Sequence, residues 1–359
     1  MIILGSSGSI GTQALQIARE NNLAIEVLCA GDNISLLNQQ ILEFRPKIVV
    51  IKDSAKKHLV ENAPIVLCGE QGIIESLNIA ESSFVLNALV GFSGVKPSLE
   101  ALKLNKTLAL ANKESLVVAG FLLDSTNIIP VDSEHFALKE LLSQHKSVKK
   151  MLLTASGGAF RDLPLEAIPR QSVESALKHP NWTMGAKITI DSATMINKLF
   201  EVLEAKWLFN SNNIDAIIER SSTIHALIEL DDNAILAHLS VNDMRLAIAS
   251  AMLQNSKSVI KKLDLFSLNL SFKPIDTLRY PLWKLKDLVL ENPKLGILIN
   301  AANDMLVERF LRKEIAFGEI SSGIFKVLEH FSVESIANID EIVELNAEIT
   351  SFLLDLKRI

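Results

Sequence analysis

The stretch Met1–Glu20, MIILGSSGSIGTQALQIARE, decides the fold. Met1–Leu4 is an apolar run with the composition of a buried strand. Gly5-Ser6-Ser7-Gly8-Ser9-Ile10-Gly11 is a small-residue turn, and a helical pattern follows to about Glu20. Strand, glycine-rich turn and helix in that order point backbone N–H groups and a helix dipole at a phosphate. The glycines matter because a side chain would hold a pyrophosphate away from the backbone. The spacing is GxxGxxG rather than GxGxxG, and taken alone such a turn is also a plain connection.

The pattern beyond it favours the nucleotide reading. Ile25–Ala30, Ile48–Ile51, Ile65–Cys68, Phe84–Leu86, Thr107–Leu110 and Ile128–Pro130 are short apolar or β-branched runs, with helical patterns such as Ile34–Glu43 and Val95–Leu104 between them. Strands separated by helices of that length predict an α/β fold with a Rossmann-type, doubly wound parallel sheet, over residues 1–132. Asp32, near the end of the second strand, stands where an acid accepts a ribose 2′-hydroxyl. Spacing alone therefore leans to NAD, with a solvated turn residue as the other reading.

The 359 residues exceed one ordinary core, so two or three domains are expected. With 48% hydrophobic and 22% charged residues the composition is that of a globular enzyme. A net charge of −6 argues against nucleic acid as a general partner. The longest uncharged apolar run, Leu116–Leu123, is interrupted by Gly120 and falls far short of the roughly 20 residues that a spanning helix needs. No membrane partner is expected, and the cytoplasm is the expected compartment. Cys29 and Cys68 lack metal-type spacing and read as buried free thiols.

Polar clusters interrupt the apolar pattern at strand ends, where ligands of open α/β sheets bind. They are Asn112-Lys113-Glu114-Ser115 and Asp132-Ser133-Glu134-His135. Asp132 and Glu134 can meet one hard cation where the chain leaves a strand, or they can simply cap the next helix. Strand Lys150–Thr154 ends in Ala155-Ser156-Gly157-Gly158, either an anion-binding turn or a flexible loop.

The most polar stretch, HPNWTMGAKITIDSATMINKLFEVLEAKW at 179–207, holds a lid-like loop over about residues 178–187. A helix predicted to start at Ser192, capped by Asp191, follows it. Ile196, Phe200, Leu203 and Trp207 define its buried face. Thr194, Asn197, Lys198 and Glu201 fall on the far side, with Glu204 nearer the apolar flank. That side is a solvated face with a Lys198–Glu201 pair, or a phosphate-and-metal site.

Beyond Asp215, alternating runs at Ala216–Ile218, Thr223–Leu230 and Ala234–His238 predict an antiparallel sheet, so that residues 133–269 form an α/β catalytic domain. Residues 270–282, with Pro274 and Pro281, read as a linker, and residues 283–359 as a small helical domain. There Asn300-Ala301-Ala302-Asn303 either touches the site or serves packing.

At this point the motifs resemble a known family, the 1-deoxy-D-xylulose 5-phosphate reductoisomerases. The matching stretches are GSSGSIG at 5–11, LANKESLV at 110–117, PVDSEHFAL at 130–138, LTASGGAFR at 153–161, HPNWTMGAKITIDSATMINK at 179–198 and NAAND at 300–304. The resemblance implies NADPH- and Mg²⁺- or Mn²⁺-dependent conversion of a sugar phosphate, by a homodimer, to 2-C-methyl-D-erythritol 4-phosphate for isoprenoid synthesis. It implies Asp132, Glu134 and Glu201 as metal ligands, with Lys113 joining them in the catalytic set. Lys113, Ser133, Glu134, Ser156, His179, Ser192, Asn197, Lys198 and Glu201 match substrate contacts, and Trp182 and Met184 the lid. Ser7, Gly8, Ser9, Ile10, Gly31, Asn33, Asn112, Glu114 and Gly185 match cofactor contacts.

Three departures stand out. Ser7 replaces a threonine, Asp32 stands where relatives commonly carry a cation beside the 2′-phosphate, and Glu219-Arg220-Ser221-Ser222 replaces a His-Pro-Gln-Ser segment. Competing readings are a metal-independent two-domain NAD(P)-dependent oxidoreductase and a non-catalytic dinucleotide-sensing protein. The latter is expected to have lost one of Asp132, Glu134, Glu201 or Lys198, and the chain keeps all four.

Overall fold

A computed structural model describes residues 1–145, 147–253 and 259–356. Lys146 and residues 254–258 of the expected catalytic domain, and the last three residues of the expected helical domain, lie outside the described residues.

The first sheet has seven strands: β1 (Ile2–Leu4), β2 (Val27–Ala30), β3 (Ile48–Ile51), β4 (Ile65–Cys68), β5 (Phe84–Asn87), β6 (Thr107–Leu110) and β7 (Ile128–Pro130). All pair in parallel, in the order β4-β3-β2-β1-β5-β6-β7. The chain winds outward from β1 to β4 and then resumes on the other side of β1 at β5. That reversal puts a crevice beyond the carboxyl ends of β1 and β5, the place where open sheets bind ligands. The near-continuous Ile/Val/Leu content of these strands follows from helices covering both faces. Ile3, Leu28, Val49, Leu86 and Ala109 are buried in one core, against Leu15, Leu37, Ile248 and Met252 from helices. The Cys29 thiol is pushed up to about 12 by burial, whereas Cys68 is only half-buried.

The second sheet has five strands: β8 (Val148–Ala155), β9 (Ile214–Glu219), β10 (Ile224–Leu230), β11 (Ile235–Leu239) and β12 (Phe272–Lys273), in the order β11-β10-β8-β9-β12. The expectation of an antiparallel sheet needs correction, because β8 and β9 pair in parallel. A connection from Ser156 to Asn213, long enough to hold several helices, returns the chain to the end at which β8 began. The remaining pairs are antiparallel. Within the expected linker, Phe272 and Lys273 add an edge strand to β9.

Two compact units result. One contains Met1–Ser115, Leu122–Phe136 and Asp243–Lys261. The other contains Leu116–Phe121, Ala137–Asn242 and Lys262–Ile359. In the second, the helices Leu295–Leu311, Phe317–His330 and Ile339–Asp355 form the C-terminal helical region. Asn338 caps the last of them through the Asp340 and Glu341 N–H groups.

Candidate active site

The glycine turn is shaped by close approach. Gly5 has φ +88°, and a Cβ there would sit 2.5 Å from the Ala88 carbonyl oxygen. A Cβ on Gly11 would sit 2.2 Å from the Gly5 carbonyl oxygen, so the helix Ser9–Glu20 packs directly on the turn. Its N-cap residue, Gly8, supplies no side-chain hydrogen bond, which leaves the helix start to be satisfied by solvent or an anion. Gly8 and Ser9 are exposed, while Ser7 and Ile10 are half-buried. Gly31 and Asn33 are exposed at the end of β2, where Asn33 caps the helix Ile34–Phe44 by accepting from the Leu36 N–H.

Asn112 is buried and fully engaged. Its amide donates to the carbonyls of Leu89 and Gly91, each at 2.9 Å, and to Glu114 at 3.0 Å, while its oxygen accepts from the Ser115 N–H. It thereby joins the loop after β5 to the loop after β6 and shapes the crevice wall. Lys113, buried at the first position of the helix Lys113–Ala119, places Nζ 3.5 Å from Asp132 Oδ2.

Of the two readings of Asp132, the helix cap is observed directly. Asp132 Oδ1 accepts from the N–H groups of Glu134 (3.0 Å) and His135 (3.3 Å), capping the helix Ser133–Gln144. Its other oxygen faces Lys113. Ser133 donates to Glu134. Asp132 and Glu134 stand at the start of that helix in one compact unit, and Glu201 lies on the helix Ile196–Phe209 of the other, each bearing a carboxylate. Carboxylates are hard oxygen donors, which suit Mg²⁺ or Mn²⁺ and not a thiophilic ion.

The polar stretch at 179–207 is built differently from the helix start expected at Ser192. One helix runs Ala186–Thr194, Met195 takes φ +69°, and a second helix runs Ile196–Phe209. Asp191 is therefore not an N-cap but lies within the first helix, buried, with the Lys187 ammonium at 2.9 Å and the Asn303 amide at 2.8 Å. The i,i+4 spacing to Lys187 and the long-range partner hold it there, whereas an N-cap needs non-helical backbone. Asn303 thus ties the NAAND segment to this helix. The second helix is buried nearly all round, so its polar residues are no solvated face: Lys198, Glu201 and Glu204 are buried along with Leu199 and Val202. Lys198 pairs with Glu201, to which Asn197 also donates.

His179 joins the turn after β8 to the first of these helices. Its Nε2 lies 2.9 Å from Ser156 Oγ and 3.2 Å from Ser192 Oγ. Its Nδ1 accepts from the N–H groups of Trp182 (2.9 Å) and Asn181 (3.2 Å), so the ring proton belongs on Nε2, aimed at the two hydroxyls. Burial, and secondarily the Arg161 charge, pushes the imidazole down to about 4, which keeps it neutral. Gly158, at φ +67°, packs its Cα face on the Ser192 carbonyl, where a Cβ would sit at 2.6 Å. Trp182 and Met184 are half-buried and Gly185 exposed in the irregular segment before Ala186. Trp182 stands edge-on to His225.

Residues outside the expected set anchor that segment. Asn181 donates to the Arg220 carbonyl and to Ser222 Oγ, both at 2.7 Å. The departing sequence Glu219-Arg220-Ser221-Ser222 is the turn between β9 and β10. The buried Glu219 carboxylate accepts from the N–H groups of Ser221, Thr223 and Ile224, and Arg220 pairs with Asp162. Ser222 takes a left-handed φ in this turn, a backbone feature that sequence does not report.

Comparisons with known proteins agree across the chain. Residues 1–120 match the family model of 1-deoxy-D-xylulose 5-phosphate reductoisomerase. Residues 128–209 and 239–352 match models of that enzyme's C-terminal domains. The reductoisomerase of Wolinella succinogenes is 56% identical, covering 98% of this chain and 99% of that protein. The chain belongs to the 1-deoxy-D-xylulose 5-phosphate reductoisomerase family. Another member, from Campylobacter hominis, is 52% identical over 98% of both chains. Among solved structures, a DOX-P reductoisomerase in complex with NADPH, fosmidomycin and magnesium is similar with a TM-score of 0.90. It is 31% identical, with 98% of this chain and 97% of that one covered. The Zymomonas mobilis enzyme in complex with NADPH gives a TM-score of 0.89 at 29% identity, with 99% and 98% covered.

Proposed function

We propose that the chain converts 1-deoxy-D-xylulose 5-phosphate to 2-C-methyl-D-erythritol 4-phosphate, using NADPH and a divalent cation. The observation that carries this is that a chain belonging to that family carries the three carboxylates Asp132, Glu134 and Glu201. These three residues hold the cation, with Lys113 set against Asp132. The donor set fits a hard ion, and a bound ion there supplies a Lewis acid and template for the substrate's ketone and neighbouring hydroxyl.

Ser156, His179 and Ser192 present hydroxyl and imidazole donors, and with Asn197 and Lys198 they take the substrate, chiefly at its phosphate. Ser133 adds a further contact. Trp182 and Met184 close over the bound molecule, and remote phosphate binding energy drives that closure and excludes water. The C3–C4 bond of the substrate breaks and the fragments rejoin with altered connectivity, a redox-neutral step. The resulting aldehyde then accepts hydride from NADPH and a proton. Ser7, Gly8, Ser9, Ile10, Gly31, Asn33, Asn112, Glu114 and Gly185 form the dinucleotide site.

The functional division is a dinucleotide domain to residue 132, a catalytic domain to about 269 and a helical domain from 283. We place the enzyme in the cytoplasm as a homodimer. No described helix is long and apolar enough to cross a membrane. Leu265, Phe266 and Phe272 are exposed apolar residues within one short segment, the kind of surface that a second copy covers.

The Glu201→Gln variant tests the metal reading. Turnover and Mn²⁺ binding should be lost together while NADPH affinity stays within about twofold of the parent, because only the charge of one donor changes. Near-normal turnover in that variant, or in chelator-treated protein, would sink it.

A further inference from the structure

Asp32 presents a problem that the tertiary structure answers. At the end of β2 a carboxylate welcomes a 2′-hydroxyl and repels a 2′-phosphate, yet the solved relatives above are complexes with NADPH. β3 lies beside β2 with Ala30 opposite Ile51, so the chain leaving β3 emerges next to Gly31-Asp32. It turns at once into the short 3₁₀ helix Ser54–Leu59, whose first turn Asp53 caps by accepting from the Ala55 N–H at 2.9 Å. That turn aims Lys56 back across the strand ends, with Nζ 2.8 Å from Asp32 Oδ1. The hydrogen bond and charge of Lys56, and after them the charge of Lys52, the first residue past β3, hold the Asp32 carboxyl below the usual carboxylate range.

The Lys56–Asp32 pair is open to solvent, with side-chain exposures of 36% and 63%. Exposed ion pairs are weak and exchange partners readily. A phosphate dianion is a stronger acceptor for an ammonium than one exposed carboxylate. We infer that Lys56, delivered from the β3 junction, is the cation that receives the 2′-phosphate of NADPH, with Asp32 as its resting counter-ion. The cation for the 2′-phosphate thus comes from the neighbouring strand end and not from the β2 loop, which carries Asp32. This rests on the NADPH reading above.

The experiment is a fluorescence titration of the full chain with NADPH and with NADH, for the parent, Lys56→Gln and Asp32→Asn. Lys56→Gln should weaken NADPH by about tenfold or more, the scale of one charge-assisted hydrogen bond, and leave NADH unchanged. Asp32→Asn removes the competitor, so NADPH should bind equally well or more tightly. The parent's preference for NADPH should shrink as salt rises, because the site is exposed. A parent that prefers NADPH, with Lys56→Gln keeping that preference, overturns the inference alone. A parent that binds neither dinucleotide overturns the nucleotide reading and this inference with it.

Discussion

Replacing Glu219 probes how the lid segment is held. In Glu219→Ala the N–H groups of Ser221, Thr223 and Ile224 and the Ser221 hydroxyl lose their acceptor. The Thr223 and Ile224 bonds are buried. Each buried donor left without a partner costs about 1–3 kcal/mol, so those two alone give about 2–6 kcal/mol, with about 3 kcal/mol as the working value. Glu219→Gln keeps one oxygen acceptor and loses the charge, for which about 1–2 kcal/mol is expected. The assay is urea unfolding of the three proteins side by side, paired with steady-state kinetics. Asn181 hangs on the Arg220 carbonyl and Ser222 Oγ within the same turn. KM for the sugar phosphate should therefore rise in both variants, and more in the alanine one, while NADPH affinity holds. An alanine variant within about 0.5 kcal/mol of the parent, the ordinary range of an inert surface change, refutes the claim that this carboxylate organises the turn.

Two further outcomes concern the Ser156–His179–Ser192 group. Gly158→Ala puts a Cβ 2.6 Å from the Ser192 carbonyl oxygen at a φ of +67°. It should raise KM for the sugar phosphate far more than for NADPH, and equal effects on both would remove the special role of that contact. His179 has a folded-state pKa of about 4 against the ordinary 6.5. Because the folded value is depressed, the unfolded chain takes the proton first, so this group's contribution to stability is intact above about 6.5 and erodes as pH falls toward 4. NMR titration should show the His179 ring neutral at pH 6, with its pKa rising once a phosphate ligand binds. A ring that titrates near 6.5 in the free protein contradicts its placement.

The strands of the first sheet were legible because each is a short apolar run bounded by turn residues, and burial on both faces demands that composition. The glycine turn was equally readable, since Gly5 and Gly11 occupy places where any side chain would strike backbone. The edge strand Phe272–Lys273 was not legible because a two-residue strand carries no periodicity. Asp191 was misread for a related reason. Its residue type suits a cap, but the backbone break falls four residues later, at Met195, a residue with no local preference for positive φ.

Sequence by itself determined the order of strands and helices, the hard-oxygen character of the donors and the family, because these follow from residue type and short-range pattern. Tertiary structure decided what those residues face. Asp132 both caps a helix and turns an oxygen to Lys113, and Asn303 reaches Asp191 across 112 positions. His179 finds Ser156 and Ser192, and Lys56 finds Asp32. Partners so far apart in the chain meet only when strand order and helix packing bring their elements together, and no local pattern encodes which ends those will be.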